Sequence, residues 1–367
     1  MVKVGVVGAS GFVGRRAVEM LHEDGMTVCP IVRQADSLPY FTQMGLQGYV
    51  ANAFDQAALE QAFSGCDVVI HSILGSAGLI RGSVEPAYRA AQNAGVRRLI
   101  YLSSMIVHTS APDPGTTEAT PPIQHQPGFP THIAKIDAER KLLKLQKAGS
   151  VEVVIFRPGI VFGPRSRWIN ELADQFLQGT AYFIHDGRGI CNTVYVDNLI
   201  HAMRLAMFAE GVNGEAFFVG DREQVTWFDF YHPFARALGV DPHTIPQVPP
   251  PIFTHSKKQE FLRSIRESEI VQKSLAFLSN DLKQSMKRLI PKQSHASSTT
   301  LSTTLVNPEP IVTEMMAILQ QSQYKLPLAK AEQRLGYQPI VSFDQGCRRS
   351  IEWMMQEKMT TGAIAKV

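Results

Sequence analysis

Residues 3–14, Lys-Val-Gly-Val-Val-Gly-Ala-Ser-Gly-Phe-Val-Gly, constrain this chain more than any other stretch. A short apolar strand, Val4 to Val7, runs straight into Gly8, Gly11 and Gly14, and an amphipathic helix follows. Gly8 permits a tight turn out of the strand. Gly11 lets a pyrophosphate approach the backbone, and Gly14 lets the helix pack close to the sheet. The helix start presents free N–H groups and the positive end of its dipole to phosphate. Glycines at this spacing between a strand and a helix point to dinucleotide binding, with Ser10, Phe12 and Val13 completing the segment. A purely structural strand–turn–helix is the minor alternative.

The rest of the chain bounds the classes that fit. A length of 367 residues suits one large domain or two ordinary ones, and 44% hydrophobic content supports a full core. A net charge of +3 is too small to imply a nucleic-acid partner. Cys29, Cys66, Cys191 and Cys347 lie far apart, without Cys-x-x-Cys spacing, so no metal site or disulfide framework is expected and a reducing cytosol fits. No apolar run is long enough to span a bilayer. The N-terminus reads as the first strand rather than a signal peptide, which makes the cytoplasm the expected location.

Strand patterns fall at 3–7, 27–32, 47–51, 67–72, 97–103 and 151–156, and helical patterns near 12–24, 55–64, 83–94 and 130–147. Short continuous apolar runs such as Val68-Val69-Ile70 are those of strands buried on both faces. The alternation predicts an α/β fold, a Rossmann-type doubly wound parallel sheet over residues 1–165. Prolines 112, 114, 121, 122 and 127 mark 105–128 as a long functional loop over the site. Residues 166–367 read as a smaller mixed α/β substrate domain that also contributes elements to the sheet. Helices are expected at 196–209, 226–238 and within 326–357. A helical insertion is expected at about 252–322. Its stretch 255–290 carries Val271, Leu275, Leu278, Leu282, Met286 and Leu289 at helical spacing, and a flexible linker follows at 294–304.

These motifs together resemble the extended short-chain dehydrogenase/reductase family of the NAD-dependent epimerase/dehydratase type. The resemblance rests on Gly8-Ala9-Ser10-Gly11-Phe12-Val13-Gly14, Asp67-Val68-Val69-Ile70-His71 and Leu102-Ser103-Ser104-Met105-Ile106-Val107. It continues through Ala134-Lys135-Ile136-Asp137-Ala138-Glu139, Phe156-Arg157-Pro158-Gly159 with Phe162-Gly163-Pro164-Arg165, Tyr195-Val196-Asp197-Asn198-Leu199 and Leu335-Gly336-Tyr337-Gln338-Pro339. It covers most of 1–245 and 326–355. It implies NAD(P) as cofactor, with Gly8, Ser10, Gly11, Phe12, Val13, Gly14, Arg33, Asn52, Lys135 and Pro158 at the cofactor. Arg33 ends the second strand, where an acid would receive the ribose hydroxyl of NAD. An arginine suits the 2′-phosphate of NADP instead, or is a solvent-facing strand end. Asn52 stands where the family often has Asp near the adenine.

The resemblance further implies a catalytic Ser or Thr, a Tyr, and a Lys four residues after it. Ser104 and Lys135 match, but Thr131 stands at the Tyr position. A phenol titrates near ~10 and can be drawn lower by a neighbouring ammonium. A threonine hydroxyl only exchanges hydrogen bonds and is a poor general acid or base. Three readings stay open: another residue acts, the chemistry does not need the phenol, or the domain binds nucleotide without turnover. His108, on the loop leaving the fifth strand, is the preferred substitute, because imidazole titrates near neutral pH. His132 adjoins Thr131 but points elsewhere on a helix, His71 reads as architectural and Tyr101 as packed. Asp197 is similar to a helix-capping residue of the family, Ser83 stands where the family often has Asn, and Arg165 and Arg188 lie where a substrate anion would be met.

The functional expectation is an NAD(P)-dependent oxidoreductase or epimerase/dehydratase acting on a hydroxyl or keto group. The substrate is a small molecule, a nucleotide sugar first and a lipophilic natural-product intermediate second. The alternatives are a nucleotide-binding scaffold or sensor, or a non-redox lyase or isomerase reusing the pocket. Residues 255–295 hold nine Lys/Arg against four Asp/Glu. Their apolar stripe would pack on the C-terminal domain or a second subunit of a homodimer, or would touch a membrane surface or cover a lipophilic substrate.

Overall fold

The computed structural model describes residues 2–124, 128–253, 265–277 and 309–363. Its centre is a parallel sheet of seven strands: β1 (Lys3–Val7), β2 (Thr27–Val32), β3 (Tyr49–Val50), β4 (Val68–His71), β5 (Arg98–Leu102), β6 (Glu152–Pro158) and β9 (Ala216–Val219). The order is β3-β2-β1-β4-β5-β6-β9, all parallel. The chain winds outward from β1 to β3, then returns to place β4 on the other side of β1. That reversal opens a crevice at the carboxyl ends of β1 and β4. A two-stranded sheet, β7 (Ile160–Phe162) with β8 (Thr193–Tyr195), lies beyond it.

The apolar runs divide between two cores because successive side chains alternate across a strand. Val4, Val6, Ile70, Ile100, Val154 and Phe156 face one layer. Helices α1 (Phe12–Glu23) and α7 (Val196–Phe208) cover that layer. Val7, Val69, Leu99, Tyr101, Val153 and Ile155 face the other. There α3 (Gln56–Phe63), α4 (Ala77–Asn93) and α5 (Pro130–Ala148) lie. Gly14 sets how closely α1 approaches the sheet. A Cβ there would overlap the Gly8 carbonyl oxygen and reach the Ser72 hydroxyl at 2.7 Å.

The C-terminal part beyond the sheet is built from α6 (Arg167–Gln178), α8 (Trp227–Ala237), α10 (Glu314–Leu319), α11 (Ala329–Leu335) and α12 (Phe343–Thr360). Trp227 is buried and its indole N–H donates to the Leu319 carbonyl at 2.9 Å. The Ile184 amide donates to Gln320 Oε1 at 2.8 Å. Residues 314–320 therefore pack into the core of this C-terminal part, although the expected insertion at about 252–322 included them.

Several boundaries move. Helix α4 starts at Ala77, not near 83, because Ser76 caps it by accepting the Leu79 amide at 3.3 Å. Two helices were not anticipated: α2 (Leu38–Gln43) is too short to show a period, whereas α6 carries Trp168, Ile169, Leu172, Ala173 and Phe176 at helical spacing and ends at Gly179 with φ +67°. Of the expected helix 255–290, α9 (Glu269–Phe277) lies within the described residues. Leu278, Leu282, Met286, Leu289 and the linker 294–304 lie outside them, as does the side chain of Leu275. Helix α9 packs on α4 of the sheet domain, where neither packing expectation had put it. Among the described residues no helix is long and apolar enough to cross a membrane.

Gly14 and Gly11 should respond differently to the same added methyl. Gly14→Ala must push α1 off Gly8 and is expected to lose about 1–3 kcal/mol of stability in urea denaturation. Gly11→Ala would meet a single atom, the Gly8 oxygen at 3.3 Å. It should stay within about 0.5 kcal/mol of the parent.

Candidate cofactor and catalytic site

Gly8 adopts φ +85°, a conformation open to glycine at little cost. Its carbonyl accepts the Gly11 amide at 2.9 Å, which closes the turn. The first bond inside α1 runs from the Arg15 amide to the Gly11 carbonyl at 2.8 Å. The amides of Phe12, Val13 and Gly14 precede it, so they carry no helical partner. Ser10 and Gly11 are exposed above them. The outer side of Gly11 is open: a Cβ built there contacts the Gly8 oxygen alone within 4 Å. An open, glycine-floored turn under three outward amides fits a pyrophosphate. Ser72, unnoticed in the sequence, closes the floor: its hydroxyl donates to the Val7 carbonyl at 2.8 Å. A small polar residue directly after β4 was the available signal.

Arg33 follows β2 and is exposed, with no ion-pair partner among the described residues. Asn52 follows β3. Its Oδ1 accepts the Phe54 amide at 3.2 Å, and its Nδ2 donates to the Ala276 carbonyl of α9 at 3.2 Å.

At the other end of the crevice Ser104 leaves β5 and caps a single 3-10 turn, Met105–His108, accepting the Ile106 amide at 3.4 Å. Its hydroxyl lies 3.5 Å from the Pro158 carbonyl, which places Pro158 beside it. Lys135 projects from α5 over β5. Its ammonium donates to the Leu102 carbonyl at 2.6 Å and stands 4.9 Å above the Tyr101 ring. Burial lowers the Lys135 pKa to about 8 against a smaller upward pull from Glu139. Thr131 is half-buried in the first turn of α5. The tertiary structure thus brings Ser104 and Lys135 to the carboxyl end of β5, with Thr131 one helical turn before Lys135.

His108 does not join them. Its Nε2 faces Arg157 Nη1 at 3.0 Å, and its ring meets Phe218 edge-on at 5.4 Å. A guanidinium only donates, so Nε2 accepts and the imidazole is neutral. Burial, then the Arg157 charge, holds its pKa down to about 4. His132 stacks on Phe129 at 4.8 Å and is likewise lowered to about 4 by burial. His71 is buried and lowered to about 3, by burial and then the Lys135 charge.

Arg157 is the hub beneath the site, which the sequence did not reveal. Its Nη2 and Nε donate to the Glu139 carboxylate at 2.6 and 3.1 Å. Its Nη1 also donates to the Glu118 carbonyl at 3.0 Å. The Ser103 hydroxyl bonds the same Glu139 carboxylate. Glu118 in turn accepts the Phe218 amide at 2.9 Å. The proline-rich loop is thus tied down at its middle.

Three other sequence readings change. Asp197 does not cap α7, since Tyr195 is the cap residue. It accepts instead from Arg16 at 2.7 and 3.1 Å and from Arg349 at 3.3 Å, joining α1, α7 and α12. Arg165 pairs with Glu19 of α1 at 3.3 Å, and Arg188 with Asp186 at 2.7 Å, so both already have carboxylate partners. Ser83 is buried inside α4 and bonds the Ile80 carbonyl at 3.4 Å.

Residues 4–220 match the NAD dependent epimerase/dehydratase family. A 4-hydroxy-2-methyl-3-oxo-4-farnesyl-3,4-dihydroquinoline-1-oxide ketoreductase from Stigmatella aurantiaca is 25% identical over 247 residues, covering 64% of this chain and 73% of that protein. A decarboxylating sterol-4-alpha-carboxylate 3-dehydrogenase from Dictyostelium discoideum is 26% identical over 272 residues, covering 68% and 80%. Among solved structures, a dTDP-glucose 4,6-dehydratase double mutant from Streptomyces venezuelae with NAD bound superposes with a TM-score of 0.67 at 16% identity, covering 99% of this chain and 100% of that one. At that identity the likeness is one of fold.

Breaking the Arg157–Glu139 pair from one side leaves an uncompensated buried charge. Glu139→Leu is expected to cost about 3–5 kcal/mol in urea denaturation, and Arg157→Met with Glu139→Leu together much less. Equal losses in the single and double variants would show that the pair does not act as a unit.

Proposed function

The chain belongs to the NAD dependent epimerase/dehydratase family and is an NAD(P)-dependent enzyme of the extended short-chain dehydrogenase/reductase class, and from that premise we propose that it moves hydride to or from a hydroxyl or keto carbon of a lipophilic intermediate. The lipophilic substrate is supported by the sequence relatives, named as a farnesylated quinoline ketoreductase and a sterol dehydrogenase. The substrate side agrees. Val248, Phe253, Val312 and Met316 gather around Tyr182 and Ile184, and Ile252 and Ile311 are 95% and 82% exposed beside them. The nucleotide-sugar reading rests on likeness of fold.

The observation that carries the chemistry is the buried Lys135 ammonium on the Leu102 carbonyl, at the end of β5 that Ser104 leaves. The bound dinucleotide supplies or accepts the hydride. The α1 amides hold its pyrophosphate, and Ser104 offers a hydroxyl to the substrate oxygen. Thr131 adds a hydrogen bond but no proton within reach of neutral pH. His108 is engaged by Arg157 and uncharged there, so the proton is assigned to Lys135 Nζ, the group in this site that titrates closest to neutral.

Reduction then needs the ammonium form, which empties as pH rises through about 8. Hydride transfer to a ketone should fall above that pH and oxidation of the alcohol should rise. Lys135→Met should remove both limbs. Thr131→Tyr should raise the rate, within the ~10²–10⁴ that a positioned acid–base contributes. A pH-independent rate that survives Lys135→Met would overturn the assignment, and dinucleotide binding without turnover across ketones and alcohols would favour a scaffold or a non-redox reaction.

Cofactor choice is proposed as NADP(H) over NAD(H), through Arg33 at the end of β2. Calorimetry should show a preference of about 1–3 kcal/mol that Arg33→Ala erases. Equal wild-type affinities would remove it.

A further inference from the structure

Helix α9 bridges two elements that flank one end of the crevice. At its start, the carbonyls of Glu267 and Ser268 lie over α4, so close that a Cβ on Gly78 would sit 2.7 and 2.6 Å from them. One turn along α4, a Cβ on Gly82 would stand 2.5 Å from the Phe54 ring and 2.8 Å from Glu269 Cγ. The two glycines make a notch that receives the 265–277 segment. At its other end, the Ala276 carbonyl accepts from Asn52 Nδ2 at 3.2 Å, just past β3. The segment therefore runs from the first turns of α4 to the carboxyl end of β3.

The dinucleotide's orientation is set by the fold. The pyrophosphate belongs at the start of α1, and the adenosine half extends toward the carboxyl ends of β2 and β3. Asn52 and Arg33 stand at those ends, and the start of α4 closes the opposite side. Residues 265–277 cross that span.

From this placement we infer that residues 265–277 form the outer wall of the adenosine half of the cofactor site, latched to the sheet domain by Asn52 and by the Gly78/Gly82 notch. Part of a segment outside the core motifs thereby controls how fast the dinucleotide leaves. The inference rests on the dinucleotide reading given above and adds to it a residue set that binds the adenosine half alone.

Gly78→Ala is the sharpest probe, since alanine favours a helix interior over glycine. The three nearest neighbours of its Cβ all belong to the docked segment: Ser268, Glu267 and Gln272. Asn52→Ala removes the latch from the other end. Hydrogen exchange of 265–277 in the full-length protein should rise in both variants. Stopped-flow dissociation of NADH and NADPH should quicken about tenfold, and ADP-ribose affinity should fall by a similar factor. Reduced nicotinamide mononucleotide lacks the adenosine half, and its binding should be unchanged. Faster exchange in 265–277 with dinucleotide dissociation within twofold of wild type would overturn the wall. So would unchanged exchange in both variants, because the segment would then not be seated as described. Wild-type protein that binds neither dinucleotide would refute the cofactor reading itself, a result read before any variant is made.

Discussion

One guanidinium organises the carboxyl ends of β5 and β6. Arg157 sits on β6 and holds Glu139 on α5, His108 at the end of the 3-10 turn and the Glu118 carbonyl of the proline-rich loop. Glu139 lies one helical turn after Lys135, and the 3-10 turn begins directly after Ser104. The planar fork of arginine makes these bonds at fixed angles, which a lysine could not. The relation between Ser104 and Lys135 therefore depends on a contact that touches neither. A buried pair of this kind adds little net stability, because desolvation offsets attraction, but it tolerates few arrangements.

The same burial shapes the proton chemistry. The site excludes water around Lys135, and the desolvation that would discourage any charge lowers its pKa to about 8. It also discharges the histidines. His71, His108 and His132 are held at about 3, 4 and 4, far below the range in which imidazole serves as a relay. Imidazole pays for burial with its charge and so becomes structural here, while an amine, starting from a much higher pKa, arrives near neutral. With a threonine at position 131, the pocket still holds a titratable group, the Lys135 ammonium.

The two sides of the molecule are joined by ion pairs and shared strands rather than by a simple linker. Asp197 collects Arg16 from α1 and Arg349 from α12. Strand β9, from beyond residue 165, completes the main sheet beside β6. Helix α9 packs on α4.

The glycine turn, the parallel sheet and the places of Ser104, Thr131 and Lys135 were all legible in the sequence. Each is a local matter: a backbone that needs glycine, a strand buried on both faces, a fixed spacing along one helix. The seating of α9 was not legible, because a notch made by Gly78 and Gly82 looks like two ordinary glycines until another segment fills it. Nor was the role of Arg157, whose partners lie 18, 39 and 49 residues away and meet only once β5, β6 and α5 pack. His108 shows the difference most sharply. Its position after Ser104 suggested a proton relay. Its chemistry was decided by a burial and a neighbouring charge that no local pattern encodes, since both arise from chain segments distant in sequence.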